Sequence, residues 1–330
     1  MSHSTDLTVM RSNAGRSEAG FSMVELLIAM GLLLTVSSIV ASALMQMSNL
    51  QQTIWNRTEM HSGVRGAAEL LQQEVGQAGS VGLPGTDSTG VCAVCLAGAV
   101  LAPGAQTVSI NQKINGVTAA SVSGMFPGEQ LVVDAGPNRE TVTLTPPVNQ
   151  GTNQITAVFA TAHAAGAAVA TTGGFASGIV PPSMANGSTA TVLKLYGDIN
   201  ADGNMLYVEY TCDTAGKNLY RNTMAWNAAS KPALTAAQIL LSNIIPTPGN
   251  KPCFTYQTAT VGTNTYVTVM AITLTMQTQQ QDPITKLLQT DTTALLNVSP
   301  RNVINTWQLA SLGYSNRVQP MPPAVQTLLP

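Results

Sequence analysis

The chain has 330 residues and a formal net charge of −2, and only 9% of its residues are charged. There is no basic stripe or global positive field to recruit nucleic acid, and no nucleic-acid partner is expected. With Thr, Ala, Gly, Asn and Gln filling the surface in place of charges, the composition suits a secreted β-rich protein better than a cytosolic enzyme.

The first predicted element is a polar leader, residues 1–20, which carries Arg11 and Arg16 and ends in Gly20. Phe21, Ser22, Met23 and Val24 follow, then a single carboxylate, Glu25, and an apolar run to about Met47. As a helix, Leu26 to Met47 rises about 33 Å, close to the hydrocarbon thickness of a bilayer. No proline occurs between Phe21 and Leu83, so nothing forces a break. The two arginines ahead of the span favour a cytoplasmic leader and place the remainder outside. A secretory signal would carry its cleavage site after the apolar region. A cut at the polar-to-apolar junction after Gly20 would instead precede that region and leave the apolar helix in the chain. Glu25 is the odd residue, because a charge near the membrane core costs about 2.5–3.5 kcal/mol and usually marks a function.

The order Gly20-Phe21-Ser22-Met23-Val24-Glu25, followed by this run, resembles the processing segment of type IV pilins and type II secretion pseudopilins. The resemblance implies that a membrane prepilin peptidase cuts after Gly20 and methylates the new amine on Phe21. It also implies an assembly role for Glu25, whose carboxylate would pair with the free amine of a neighbouring subunit. The implied location is a single pass through the inner membrane with the head outside, and then incorporation into a filament. The implied partners are other minor and major pilin subunits, the peptidase and an inner-membrane assembly platform.

Beyond the span, the helix is predicted to continue to about Gly79. Leu50, Ile54, Arg57, Met60, Val64, Ala67, Leu71, Val75 and Ala78 recur at three- and four-residue steps, with Glu59, Arg65, Glu69 and Glu74 at other positions. Gly76, Gly79, Gly82 and Pro84 are expected to stop it. The resemblance implies an α+β, pilin-like fold: a long N-terminal helix, transmembrane in its first half (about 24–47), packed on an antiparallel β-sheet head. Residues 80–104 read as a Gly/Pro-rich loop. Residues 105–172 read as a small inserted β module, with short β-forming runs separated by Asn-Gly, Pro-Gly and Gly-Pro turns. This stretch resembles Gly/Thr-rich β modules inserted in bacterial surface proteins. His163 reads as a turn or packing residue.

Residues 173–279 read as the β head. Thr189–Tyr196 and Met205–Thr211 are strand candidates, and Tyr266–Met276 alternates Thr, Val, Ile and Leu. Together with Asn218-Leu-Tyr-Arg221 and Ser299-Pro-Arg-Asn302, this region is similar to minor pilins of the PilW family and to pseudopilin J of type II secretion. From about Gln277 the periodicity is lost, so 280–330 is expected to be a loosely attached extension.

Two constellations could carry chemistry. Asp198, Asn200, Asp202 and Glu209 fall at positions 1, 3, 5 and 12 of the calcium-loop pattern, with Gly203 at 6 and the Asn204 carbonyl at 7. The flanks read as strands, so a bare polar hairpin stands beside calcium as the alternative. No cofactor is otherwise required. The four cysteines, in a head outside the membrane, are expected to pair as Cys92–Cys95 and Cys212–Cys253. The alternatives are a zinc site using all four and a redox role for Cys92 and Cys95. No nucleophile elbow, phosphate loop or paired-histidine motif is present, so no catalysis is expected.

Overall fold

The computed structural model describes residues 20–83, 92–114, 117–149 and 151–328; the expected roles of Arg11, Arg16 and Pro84 fall outside them. The first element is a single helix, α1 (Met23–Gln77), of 55 residues. At 1.5 Å per residue it is a rod of about 80 Å. Its two halves differ completely. Leucines, isoleucines, valines and methionines from Met23 to Ile54 are exposed, whereas Met60, Val64, Ala67, Leu71 and Val75 are buried. Steps of three and four place the buried set on one stripe. Leu50 and Ile54, which share the same periodicity, remain bare.

The chain leaves α1 directly into the head. Gly79 adopts φ +83, a conformation costly for any side chain, and its amide donates to the Tyr196 carbonyl at 3.0 Å. A Cβ there would also come within 3.0 Å of Val303.

Next comes a seven-stranded sheet: β1 (Val94–Leu96), β2 (Gly104–Ile114), β3 (Val117–Ala120), β4 (Gln130–Val133), β5 (Glu140–Asn149), β6 (Gln154–Phe159) and β7 (Val169–Thr171). The strand order is β1-β2-β6-β5-β4-β7, with β3 also pairing β2. An antiparallel bridge between Cys95 and Ala168 brings the two edges together, so the sheet nearly closes into a barrel. Ile110, Leu131, Val133, Leu144, Ile155 and Phe159 fill it. The barrel begins earlier than the sequence suggests. The stretch predicted as loop, 80–104, contains β1 and the first residue of β2, because Val94 and Leu96 point into the barrel core. Two apolar residues flanking a cysteine are too short a run to register as a strand.

The head follows with β8 (Gly174–Phe175), β9 (Val192–Gly197), β10 (Leu206–Asp213), β11 (Asn218–Ala225) and β12 (Ile239–Ser242), then β13 (Ile244–Ile245), β14 (Phe254–Val261), β15 (Asn264–Gln277) and β16 (Thr290–Val298). It ends in α2 (Arg301–Ser311), β17 (Val318–Gln319) and α3 (Pro323–Thr327). One antiparallel sheet has the order β12-β11-β10-β9; a second has β13-β15-β14, with β16 also on β15. Leu193, Leu195, Val208 and Tyr210 of the first sheet meet Phe254, Val267 and Met270 of the second around Leu71 and Val75 of α1. The architecture is α+β: a long helix whose second half is the spine of a two-sheet head, with the near-barrel beside it.

The predicted loose extension beyond Gln277 is instead part of the fold. β16 pairs along β15, and Val303 and Val325 are completely buried. β17 lies parallel to β8, and Gln319 reaches across to the barrel. Its Nε2 donates to the Gln130 and Thr172 carbonyls at 2.7 and 3.1 Å, and its Oε1 accepts from the Gln130 amide at 2.9 Å. Val303, Trp307 and Ala310 of α2 do recur at steps of four and three, but the repeat covers only one short helix between less regular segments.

Candidate functional site

The N-terminal end of α1 is built by three neighbouring residues. Ser22 is extended (φ −67, ψ 147) and caps the helix, its Oγ accepting from the Glu25 amide at 3.2 Å. Glu25 lies in the first turn, where the helix dipole favours a carboxylate. Phe21 is 80% exposed. Among the described residues nothing lies within 4 Å of the place a Cβ would take at Gly20, and its φ lies outside the left-handed region. The described residues therefore make no demand for glycine at this position. Sequence reasoning singled out Gly20, Phe21 and Glu25 but missed the cap at Ser22, although the Ser-x-x-Glu spacing was there to find it.

α1 from Met23 to Gln77 is long and apolar enough to cross a membrane, and among the described residues nothing covers the stretch that meets that test. The packed half of the same helix is tied to the head by a buried polar contact. Glu74, only 4% exposed, accepts from Arg221 Nε on β11 and from the Tyr210 hydroxyl on β10. Burial, reinforced by the Glu74 charge, pushes the Tyr210 phenol far above its ordinary pKa, so it stays a donor. Glu74 was expected off the buried stripe and lies on it.

The two disulfides join Cys92 to Cys95 and Cys212 to Cys253, with Cα separations of 5.9 and 6.5 Å. The first lies at β1 of the barrel. The second runs from β10 to the residue before β14 and so ties the two head sheets together. Disulfides of this kind are at home in an extracytoplasmic domain. With all four cysteines paired in two separate places, the structure does not bring them together around one ion.

The calcium-loop residues form the turn between β9 and β10, and the structure does not gather them around one point. Asp198 is buried, and its two carboxylate oxygens accept from the Asp202 and Gly203 amides at 3.0 and 3.1 Å. Burial raises its pKa, opposed by those amides. Asp202 Oδ1 accepts from the Asn204 amide at 2.9 Å, and Asn200 and Asn204 are exposed. Glu209 lies well into β10, opposite Lys194, and is paired with Lys231 at 2.7 Å. Strand alternation sends Val208 and Tyr210 toward α1 and Glu209 to the other face, away from the turn. Among the described residues, no group of three or more His, Cys, Asp or Glu side chains is placed to hold a metal ion.

Two buried titratable sites escaped the sequence. His163 has a fully buried side chain between two carboxylates, with Nδ1 3.2 Å from Asp134 and Nε2 on Glu140. Asp134 is held below its ordinary pKa by the Ala135 amide and by His163. At Glu140 burial pulls upward, but His163 and the Ala160 and Thr161 amides override it and the pKa is lowered. Glu129, at the junction of barrel and head, is fully buried. One of its oxygens accepts from the Phe126 amide at 3.3 Å, and the other finds no hydrogen-bond partner among the described residues. Burial raises its pKa well above the ordinary value, with the Phe126 amide opposing.

Comparison of the chain with protein-family models, curated proteins and solved structures finds no match.

Proposed function

We propose that this protein is a filament subunit of the pilin kind, made as a precursor, cut after Gly20, methylated on Phe21 and drawn from the inner membrane into a type IV pilus-type fibre. The observation that carries the reading is the division of α1. One half is bare and apolar while the other is the spine of a β head, so the bare half needs a bilayer or neighbouring helices around it. Glu25, in the first turn of that half, then pairs with the amine of an adjacent subunit and offsets the desolvation of both charges. Assembly, not catalysis, is the work assigned to the chain. A bulky head with a barrel beside it suits a minor subunit of the PilW kind, which primes or tips a filament. A type II secretion pseudopilin resembling pseudopilin J is the alternative within the same class.

Intact-mass and N-terminal peptide analysis of the membrane-extracted protein tests this, comparing the native sequence with Gly20→Ala and Glu25→Ala. A mature chain beginning at N-methylated Phe21, lost in Gly20→Ala, is expected. An uncut chain in cells with active prepilin peptidase would sink the proposal and leave a plain single-span anchor.

A second reading rests on the barrel, whose outer surface carries the exposed apolar residues Leu101, Val117 and Val158. On that reading the chain is a tip adhesin. Deleting the barrel would then abolish attachment while filaments persist; unchanged attachment removes this reading.

A further inference from the structure

The second head sheet lies along α1 like a scale. Asn297 and Arg301 share a groove with Gln72, Gln73 and Gln77 of the helix. Lower down, Asp291 is 3.5 Å from His61. Gln289 then accepts from Arg57, Asp282 Oδ2 accepts from Thr53 at 2.9 Å, and Gln280 accepts from Gln52 at 2.7 Å. Each step approaches the bare half of α1. The connection between β15 and β16, residues 278–289, thus touches the helix within about 8 Å, along its axis, of the end of the apolar run at Met47.

This connection is firmly built. Asp282 is 4% exposed; its Oδ1 accepts from the Ile284 and Thr285 amides at 2.9 and 2.8 Å, and its Oδ2 from Gln289 Nε2 at 2.6 Å. Its backbone bonds to both Lys286 and Leu287. Such a turn closes on its own polar groups and needs no apolar side chain outside. Yet Ile284 and Leu287 are 64% and 68% exposed, with Lys286 exposed between them. Trp55, at the same height on α1, is also exposed.

We infer that this hairpin tip is a second membrane contact, seated in the phospholipid headgroup layer when the bare half of α1 spans the bilayer. The layer adds about 5–8 Å to each side of the hydrocarbon core, which matches the height of the tip above Met47. Ile284 and Leu287 enter the acyl boundary, Lys286 meets lipid phosphates, and Trp55 takes the interfacial position that suits its ring. A lipid surface is the occupant because the covalent link to the span fixes the tip at this height. The inference rests on the membrane-spanning reading of α1.

The test uses the full chain in phosphatidylcholine–phosphatidylglycerol vesicles, with a polarity-sensitive dye on one introduced cysteine: Leu287→Cys, Leu34→Cys in the span, or Leu101→Cys on the barrel. Lipids brominated near the headgroup or deep in the acyl chain report depth. Shallow bromines are expected to quench position 287 several-fold more than position 101, with position 34 quenched by deep bromines. If 287 behaves like 101 while 34 is quenched, the second contact is wrong and the span stands. A blue-shifted dye at 287 that no bromine quenches means a second copy covers the tip, which also overturns the inference. An unquenched dye at 34 overturns the spanning reading and this inference with it.

Discussion

Arg221 on β11 and Glu74 on α1 meet across the helix–sheet boundary, with Nε 3.0 and 3.2 Å from the two carboxylate oxygens and Nη2 on Oε1 as well. Glu74 is almost wholly enclosed and Arg221 about a quarter exposed. Removing the arginine strands a buried carboxylate. Arg221→Ala should cost about 3 kcal/mol, at the lower end of values for broken buried pairs because Arg221 keeps some contact with water. Urea unfolding of the head would measure it. A loss below about 1 kcal/mol would mean that apolar packing alone holds the head on α1.

Glu129 sets a pH dependence. Its folded pKa is raised, so the native state holds a proton that the unfolded chain releases earlier. Stability is then greatest below the ordinary glutamate range and falls as pH rises through the folded value. Glu129→Gln should remove that fall and leave the protein more stable at neutral pH. Equal pH slopes for both proteins in thermal melts would contradict this.

The His163 cluster acts in the opposite direction. Asp134 and Glu140 both have lowered folded pKa values, so their contribution is present above the ordinary carboxylate range and is lost as pH falls through the lowered values. His163→Gln should shrink the loss of barrel stability between about pH 5 and pH 2. Hydrogen exchange of the barrel amides across that window reads it directly.

The two disulfides should differ in weight. Cys212–Cys253 spans 41 positions and Cys92–Cys95 spans three. On loop-closure entropy the first contributes about 4 kcal/mol and the second about 2 kcal/mol. Paired Cys→Ser variants compared by denaturant midpoint would rank them, and a reversed order would show that chain entropy is not the governing factor.

Gln319 satisfies backbone groups of Gln130 on β4 and of Thr172, just past the end of β7, on the barrel side. Gln319→Leu keeps the volume but leaves those groups unpaired, at about 2–3 kcal/mol. Limited proteolysis should find the barrel–head junction opened; an unchanged cleavage pattern would show that β8–β17 pairing suffices.

What the sequence made legible follows from repetition. The periodicity of Met60, Val64, Ala67, Leu71 and Val75, and an unbroken apolar run before it, specify α1 to within a few residues. Alternation in Tyr266–Met276 likewise marks β15. Isolated features were missed. Glu74 read as lying off the buried stripe and Glu129 drew no expectation, because nothing in one dimension announces burial, and His163 gained its carboxylates from positions 23 and 29 residues away. The calcium spacing matched by position, yet the pattern takes no account of the strand on which Glu209 sits.

The Gln319 bridge also bears on how the chain matures. It joins positions 189 residues apart, and β8 pairs as a strand with β17. A ribosome that has delivered the barrel and most of the head has still not delivered the strand that clasps them. The nascent protein therefore emerges with its bare helix already present and its clasp still to come. On the membrane-spanning reading of α1, capture by the membrane would precede completion of the fold, and a chain truncated before β17 would be anchored but left open to proteases.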